Sequence, residues 1–232
     1  MAVKACLNGG RSRAEHPALP LTPAELARDA VAVSRAGAFA VHVHPRDARG
    51  APTLDARACD AAVAAIGASG AGMAVGLSTA EAIDPDPFAR AAAVAAWRER
   101  PDFVSVNVFE LGWAGVVRAA LHAGVGVEAG LATPRDAEEL ERSPFAHQVL
   151  RALVEVKGGA PQARAIAELI PAGVAQLWHG YGECTWEVLA AAAAAGHDVR
   201  VGLEDVLVLP DGSVAASNAE LVAAAVELTR GR

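Results

Sequence analysis

The stretch "VHVHPRD" (41–47) places two imidazoles, His42 and His44, two residues apart in a run that otherwise reads as a β-strand. Side chains two apart on a strand share a face and stand about 7 Å apart along the backbone. Two such imidazoles can converge on a single cation. A first-row divalent ion, most simply zinc, binds neutral imidazole nitrogen at roughly 2.0–2.1 Å, often takes a carboxylate as third ligand and keeps a position open for substrate. The other reading is a pair of hydrogen-bonded histidines at a strand end. Glu204, at the end of "DVRVGLE" (198–204), is the candidate third ligand if the last strand closes beside the first.

The elements that must position these groups are legible as an alternation. Strand-like runs are "VKACLN" (3–8), "FAVHVH" (39–44), "GMAVGLS" (72–78), "DFVSVNV" (102–108), "VGVEAGL" (125–131), "LRALVEV" (150–156), "VAQLWH" (174–179) and "DVRVGLE" (198–204). Ala-rich segments of helical length lie between them. "TPAE" (22–25) and "TPRD" (133–136) read as helix starts, each with a Thr cap, a Pro in the first turn and an acidic residue to close the box. "SNAELVAAAVEL" from 217 is the last helix. Eight β/α units in one run predict a (β/α)8 TIM barrel, a single catalytic domain over 1–232, with a doubly wound open sheet as the rival.

Strand parity sorts the side chains. Val41 and Val43 oppose His42 and His44; Val199, Val201 and Leu203 oppose Arg200, Gly202 and Glu204. Val104, Val106 and Val108 oppose Ser105 and Asn107, Val127 opposes Glu128, and Asn8 ends one face of the first strand. The apolar faces suit a packing against helices. The polar faces gather near the C-terminal strand ends, where barrel enzymes carry their sites.

Composition narrows the classes. The 232 residues are 53% hydrophobic with net charge −7. No cluster of Lys or Arg suggests a nucleic-acid or anionic-membrane partner. Cys6, Cys59 and Cys184 are an odd set without C-x-x-C spacing, so neither a disulfide framework nor a thiolate zinc site is expected. With no signal-like start and no apolar run of membrane length, the expected location is the cytoplasm.

The segments "NGGRSRAEHPALPLTPAELARDAVAVSRAGAFAVHVHPRDARGAPTLD" and "HDVRVGLEDVLVLPDGSVAASNAELV" resemble the β-keto acid cleavage enzymes, the group that includes 3-keto-5-aminohexanoate cleavage enzyme. H-x-H-x-R-D after an A-G-A turn, "LST" (77–79) and R-x-G-x-E-D (200–205) carry the likeness. It implies a (β/α)8 barrel, zinc or another divalent metal on His42, His44 and Glu204, and Asp205 as base. Arg200, Ser78 and Glu128 match groups that position and charge-balance that aspartate, and Ser105 and Asn107 match polar substrate contacts. The implied reaction joins a β-keto acid and acetyl-CoA to give acetoacetate and a new acyl-CoA, through a metal-stabilised enolate and a retro-Claisen step. The expected partners are these small molecules and further copies of the chain in a homo-oligomer.

Departures from the family matter for specificity. A branch with an aminated substrate carries "NGAE" where this chain reads "NGGR", so Arg11 replaces a carboxylate and predicts an anionic or neutral polar substrate tail, unless it faces solvent. The short "FELGWAG" (109–115) stands where relatives have a longer loop, which leaves room for a CoA-independent metal-dependent aldolase or lyase acting on a keto acid. A non-catalytic barrel that binds a small acid is the alternative of another class. Asn8, Arg11 and His179 are further candidates for substrate contact. Glu110 and Glu155 are expected as solvated carboxylates, Arg46 and Asp47 as a loop ion pair, and His16, His122, His147 and His197 at the surface. Trp97, Trp113 and Trp186 are expected to pack against helices or at an interface.

Overall fold

Every strand-like run forms a strand, with ends shifted by up to three residues. In the computed structural model, which describes residues 1–230, these are β1 (Val3–Cys6), β2 (Ala38–Val43), β3 (Ala74–Ser78), β4 (Phe103–Asn107), β5 (Gly126–Leu131), β6 (Arg151–Val156), β7 (Gln176–Gly180) and β8 (Asp198–Val201). The helices between and after them are α1 (Pro23–Ala36), α2 (Ala56–Ala68), α3 (Pro87–Ala96), α4 (Trp113–His122), α5 (Pro134–Arg142), α6 (Gly159–Ala167), α7 (Thr185–Ala195) and α8 (Asn218–Arg230). The strands pair in parallel and in sequence order. β8 returns to β1 through Val3↔Val199, Lys4↔Arg200 and Ala5↔Val201, which closes the barrel. Among the described residues, no helix is long and apolar enough to cross a membrane.

The helix starts follow the sequence. Thr22 accepts from the Glu25 N–H while the Glu25 carboxylate accepts from the Thr22 N–H, and Thr133 with Asp136 repeats the arrangement on α5. Such caps contribute about 0.5–2 kcal/mol each. In a βα unit the helix begins at the end where its strand finishes, so these caps anchor the loops around the barrel mouth.

The two faces of the strands do different work. Val41, Val43, Val104, Val106, Val127, Val199 and Val201 join the apolar layer beneath the helices. Buried Phe103, Leu153 and Leu177 lie outside that layer and plug the barrel interior. Gly76 makes room for the plug, since a Cβ there would meet the Phe103 ring at 2.0 Å. Above the plug the interior turns polar, with Ser105, Glu128, His179 and Arg200 all buried.

β8 stops at Val201, three residues earlier than its pattern suggests, because the chain then turns. The N–H groups of Asp205 and Val206 both donate to the Gly202 carbonyl, at 2.8 and 3.0 Å. Gly202 lies so close to β1 that a Cβ would sit 1.9 Å from the Cys6 carbonyl oxygen. The glycine of R-x-G-x-E-D therefore lets the end of β8 press against β1 and bring Glu204 toward His42 and His44.

Candidate active site at the barrel mouth

His42 and His44 share one face of the β2 end, as parity requires. Their Nε2 atoms are 3.2 Å apart, and Glu204 places Oε1 3.6 Å from His44 Nε2 and Oε2 4.0 Å from His42 Nε2. Two ligands held at zinc distance from one tetrahedral ion would stand about 3.3 Å apart. Among the described residues this is the group of His, Cys, Asp or Glu side chains close enough to share a metal ion. Glu204 Oε2 is buried there without a hydrogen-bond partner.

The protonation states favour a cation. Ser105 Oγ donates its hydrogen to Glu128 Oε2 (3.0 Å) and lies 3.3 Å from His42 Nδ1, so it is placed to accept from an Nδ1–H. That assigns His42 the tautomer with a free Nε2 lone pair toward Glu204. Burial holds the His42 imidazole well below its ordinary pKa, with Arg200 and His44 adding to the effect. Burial opposes ionisation of Glu204, but the Arg200 guanidinium and then the two imidazoles hold its carboxyl well below the usual range. Neutral nitrogen and ionised oxygen are the forms that ligate a divalent ion. Gly9 packs on the Glu204 side chain from above; a Cβ at that position would lie 2.4 Å from Glu204 Cγ.

Asp205 is fully buried beside this group. Arg200 grips it with both ends of the guanidinium, from Nε to Oδ2 (3.2 Å) and from Nη2 to Oδ1 (2.8 Å), and Nη2 also bonds Glu204 Oε1. One cation thus orients the candidate base and one candidate metal ligand together. Burial weakens the Arg200 charge, yet Asp205 and its neighbours raise its pKa well above the ordinary value. His179 Nδ1 stands 3.5 Å from Asp205 Oδ1 on the other side.

Neither Ser78 nor Glu128 hydrogen-bonds or ion-pairs with Asp205. Ser78 Oγ accepts from the Ala80 N–H in the turn after β3. Glu128 is paired with Lys4 and with Arg151, whose Nε lies 3.2 Å from Oε1. Ser105 stands behind His42 rather than in the open mouth. Asn8 ties the β1 loop to β2, donating to the carbonyls of Pro20 and His44 and accepting from the His44 N–H.

Arg11, Asn107, Tyr181, Lys157, Glu155 and Asp205 line a cavity of about 660 Å³ over this centre. Arg11 faces this space while bonding the Glu204 carbonyl (3.2 Å) and Glu15 (3.0 Å). Asn107 donates to Glu110 Oε1 at 2.8 Å.

Several expectations are corrected. Glu110 and Glu155 are buried rather than solvated: Arg90 neutralises the first, and Tyr181 donates to the second at 3.1 Å. Arg46 bonds the Gly9 and Arg11 carbonyls instead of Asp47, whose carboxylate accepts loop N–H groups. His16 is buried against the Ala215 carbonyl at 2.8 Å. Sequence reading passed over Lys4, Arg151, Lys157 and Tyr181. The parity that marked Asn8 would have marked Lys4, which lies four residues earlier on the same face.

The "beta-keto acid cleavage enzyme" family model matches residues 1–152 and 146–232. A curated relative, the 3-keto-5-aminohexanoate cleavage enzyme of Fusobacterium nucleatum, is 27% identical over 99% of this chain and 91% of its own length. Among solved structures, a binary complex of ObcA with oxaloacetate superposes with a TM-score of 0.76 at 17% identity over 93% of this chain. The chain spans 64% of that ObcA chain, just under two thirds. The 3-hexulose-6-phosphate synthase of Salmonella typhimurium aligns over 99% of this chain and 98% of its own at a TM-score of 0.58 and 17% identity. These two share the fold.

Proposed function

The chain belongs to the beta-keto acid cleavage enzyme family, and from that premise we propose that it converts a β-keto acid and acetyl-CoA into acetoacetate and a new acyl-CoA. The observation that carries this reading is the adjacency of Asp205, held by Arg200, to the His42–His44–Glu204 cluster. His42, His44 and Glu204 would hold the metal, for which we propose zinc. When bound, such an ion polarises the ketone and carboxylate oxygens of a β-keto acid and acidifies the carbon between them.

The protein's own groups do the rest. Asp205 is the base for that carbon acid: Arg200 holds and orients its carboxylate, and it reaches the cavity from a site where it is otherwise buried. The low-dielectric surroundings strengthen its interactions with a bound substrate relative to water. Arg11, on the cavity wall, is placed to take the distal group of the substrate, and a carboxylate is the group its guanidinium matches best. The ObcA complex holds oxaloacetate, itself a β-keto diacid, which agrees with such a tail. Lys157, exposed at the outer wall, offers a positive charge toward the phosphates of acetyl-CoA.

We place the enzyme in the cytoplasm, where its three unpaired cysteines stay reduced. We also propose a homo-oligomer, in keeping with the exposed Phe88 and Leu111 on adjoining surface segments. The test is a panel of β-keto acids assayed for acetoacetate, with and without acetyl-CoA, on protein of measured metal content. Acetoacetate that requires both acetyl-CoA and metal supports the reading. Cleavage that proceeds without acetyl-CoA would favour the CoA-independent lyase instead.

A further inference from the structure

His179 is fully buried between two carboxyl groups. Its Nδ1 is 3.5 Å from Asp205 Oδ1, and its Nε2 is 3.5 Å from Glu155 Oε2. Neither ring nitrogen has a hydrogen-bond partner among the described residues. Leaving a buried polar atom unpaired costs about 1–3 kcal/mol, and long catalytic hydrogen bonds often tighten toward about 2.9 Å in a substrate complex.

Counting protons decides how the row closes. A neutral imidazole carries one N–H, so it can donate to only one of the two carboxyls. Both oxygens of Asp205 already accept from Arg200, which makes Asp205 the acceptor for the ring hydrogen. The ring hydrogen then belongs on Nδ1. Nε2 is left as a bare lone pair facing Glu155 Oε2, and an ionised Glu155 would repel it. Tyr181 Oη donates to the same Oε2 at 3.1 Å and so does not supply the hydrogen that Nε2 needs. An imidazolium could donate to both carboxyls, but it would set a second buried cation on the Asp205 Oδ1 that Arg200 already holds; with a neutral ring, only a protonated Glu155 satisfies every atom. The direction of the titration shifts agrees: burial pushes the Glu155 carboxyl up, and burial followed by Arg200 pushes His179 down to about 3.

We propose that Glu155 and His179 are positioning residues for Asp205, with a protonated Glu155 holding His179 as its Nδ1–H tautomer and that N–H fixing the base from the side opposite Arg200. The second grip matters because Arg200 Nη2 is shared with Glu204. Without His179, the Asp205 carboxylate is anchored, among the described residues, only by a cation that is also drawn toward the candidate metal ligand. This inference rests on the reading of Asp205 as the base.

The test separates a donor at one ring position from a donor at the other. An Asn amide can stand near the former Nδ1, and a Gln amide near the former Nε2. H179N is expected to retain kcat within about threefold, while H179Q and H179L lose about thirtyfold or more with KM changed less than threefold. E155L is expected to lose kcat similarly and E155Q, which still donates to Nε2, to rescue most of it. These rates are taken with whichever β-keto acid the wild type turns over. In parallel, nitrogen-15 spectra of histidine-labelled, metal-loaded protein at pH 7 read the tautomer directly, with the His179 resonance assigned by its loss in H179N. An Nδ1–H ring in wild type and E155Q supports the proposal. An Nε2–H ring or an imidazolium in wild type overturns it, as does a rise in KM with kcat intact, which would make His179 a substrate contact. The spectrum requires no turnover. Failure of the wild type on every β-keto acid would therefore overturn the functional reading while the spectrum still decided the tautomer.

Discussion

Replacing Arg11 should reset the preference for substrate charge. Arg11 reaches the cavity that also contains Asp205, but its side chain is 28% exposed and already pairs with Glu15. A charge-assisted hydrogen bond to a distal carboxylate contributes about 1.5–3 kcal/mol when formed without competition. Solvent and Glu15 leave roughly half of that, about 1 kcal/mol, in favour of a diacid, and repulsion of a cationic tail adds about as much against an amino substrate. The difference, about 2 kcal/mol, corresponds to roughly thirtyfold in kcat/KM. Arg11→Met should therefore bring the ratio of β-keto diacid to amino β-keto acid down about thirtyfold, and Arg11→Glu should invert it. The assay is kcat/KM for both substrates in the three proteins at low ionic strength. A wild type that prefers the amino substrate, or a ratio unmoved by either substitution, would refute the argument and leave Arg11 as a loop charge.

Asp205→Asn should keep its metal, read by elemental analysis, and lose about 10²- to 10⁴-fold in kcat, because it removes a base and no ligand. Glu204→Gln should weaken metal affinity by more than the 10–100-fold typical of supporting residues, measured by competition with a chromogenic chelator; unchanged affinity would remove Glu204 from the site. Asp29 is raised from its ordinary value to about 6 by burial, against a hydrogen bond from Asn218. Its raised folded-state pKa means that the folded chain binds more protons than the unfolded chain between about pH 4 and 6, so stability falls as pH rises through that window, by at most about 3 kcal/mol. Asp29→Asn should flatten this decline, with thermal midpoints equal to wild type near pH 3.5 and higher at pH 7.

Most of the barrel was legible because its strands carry a clean period of two. Val41 and Val43 against His42 and His44 reveal both the helix-facing layer and the face that matters. What was not legible depends on contacts between distant residues. Lys4 and Glu128 are 124 positions apart and meet only when the barrel closes, so nothing local announces their pairing. Glu155 has the ordinary look of a solvated carboxylate until β7 brings His179 against it. Asp205 shows a different limit. Strand parity would send it to the face opposite Glu204, but the turn at Gly202 ends the strand and carries both side chains to Arg200. Its assignment therefore came from the R-x-G-x-E-D resemblance and not from periodicity.

The central claim is that the carbon between ketone and carboxylate of a β-keto acid, deprotonated at Asp205, joins the acetyl group of acetyl-CoA while the original acyl group leaves on CoA. Atom bookkeeping fixes where the acetyl carbons must finish. The most direct test is carbon-13 NMR of the products formed from an unlabelled β-keto acid and acetyl-CoA labelled at both acetyl carbons. The predicted product is acetoacetate labelled at the ketone carbon and its methyl group, with the methylene and carboxylate unlabelled, beside an unlabelled new acyl-CoA. Acetoacetate labelled at the methylene or carboxylate, or cleavage of the β-keto acid that leaves the label entirely in acetyl-CoA, would contradict it.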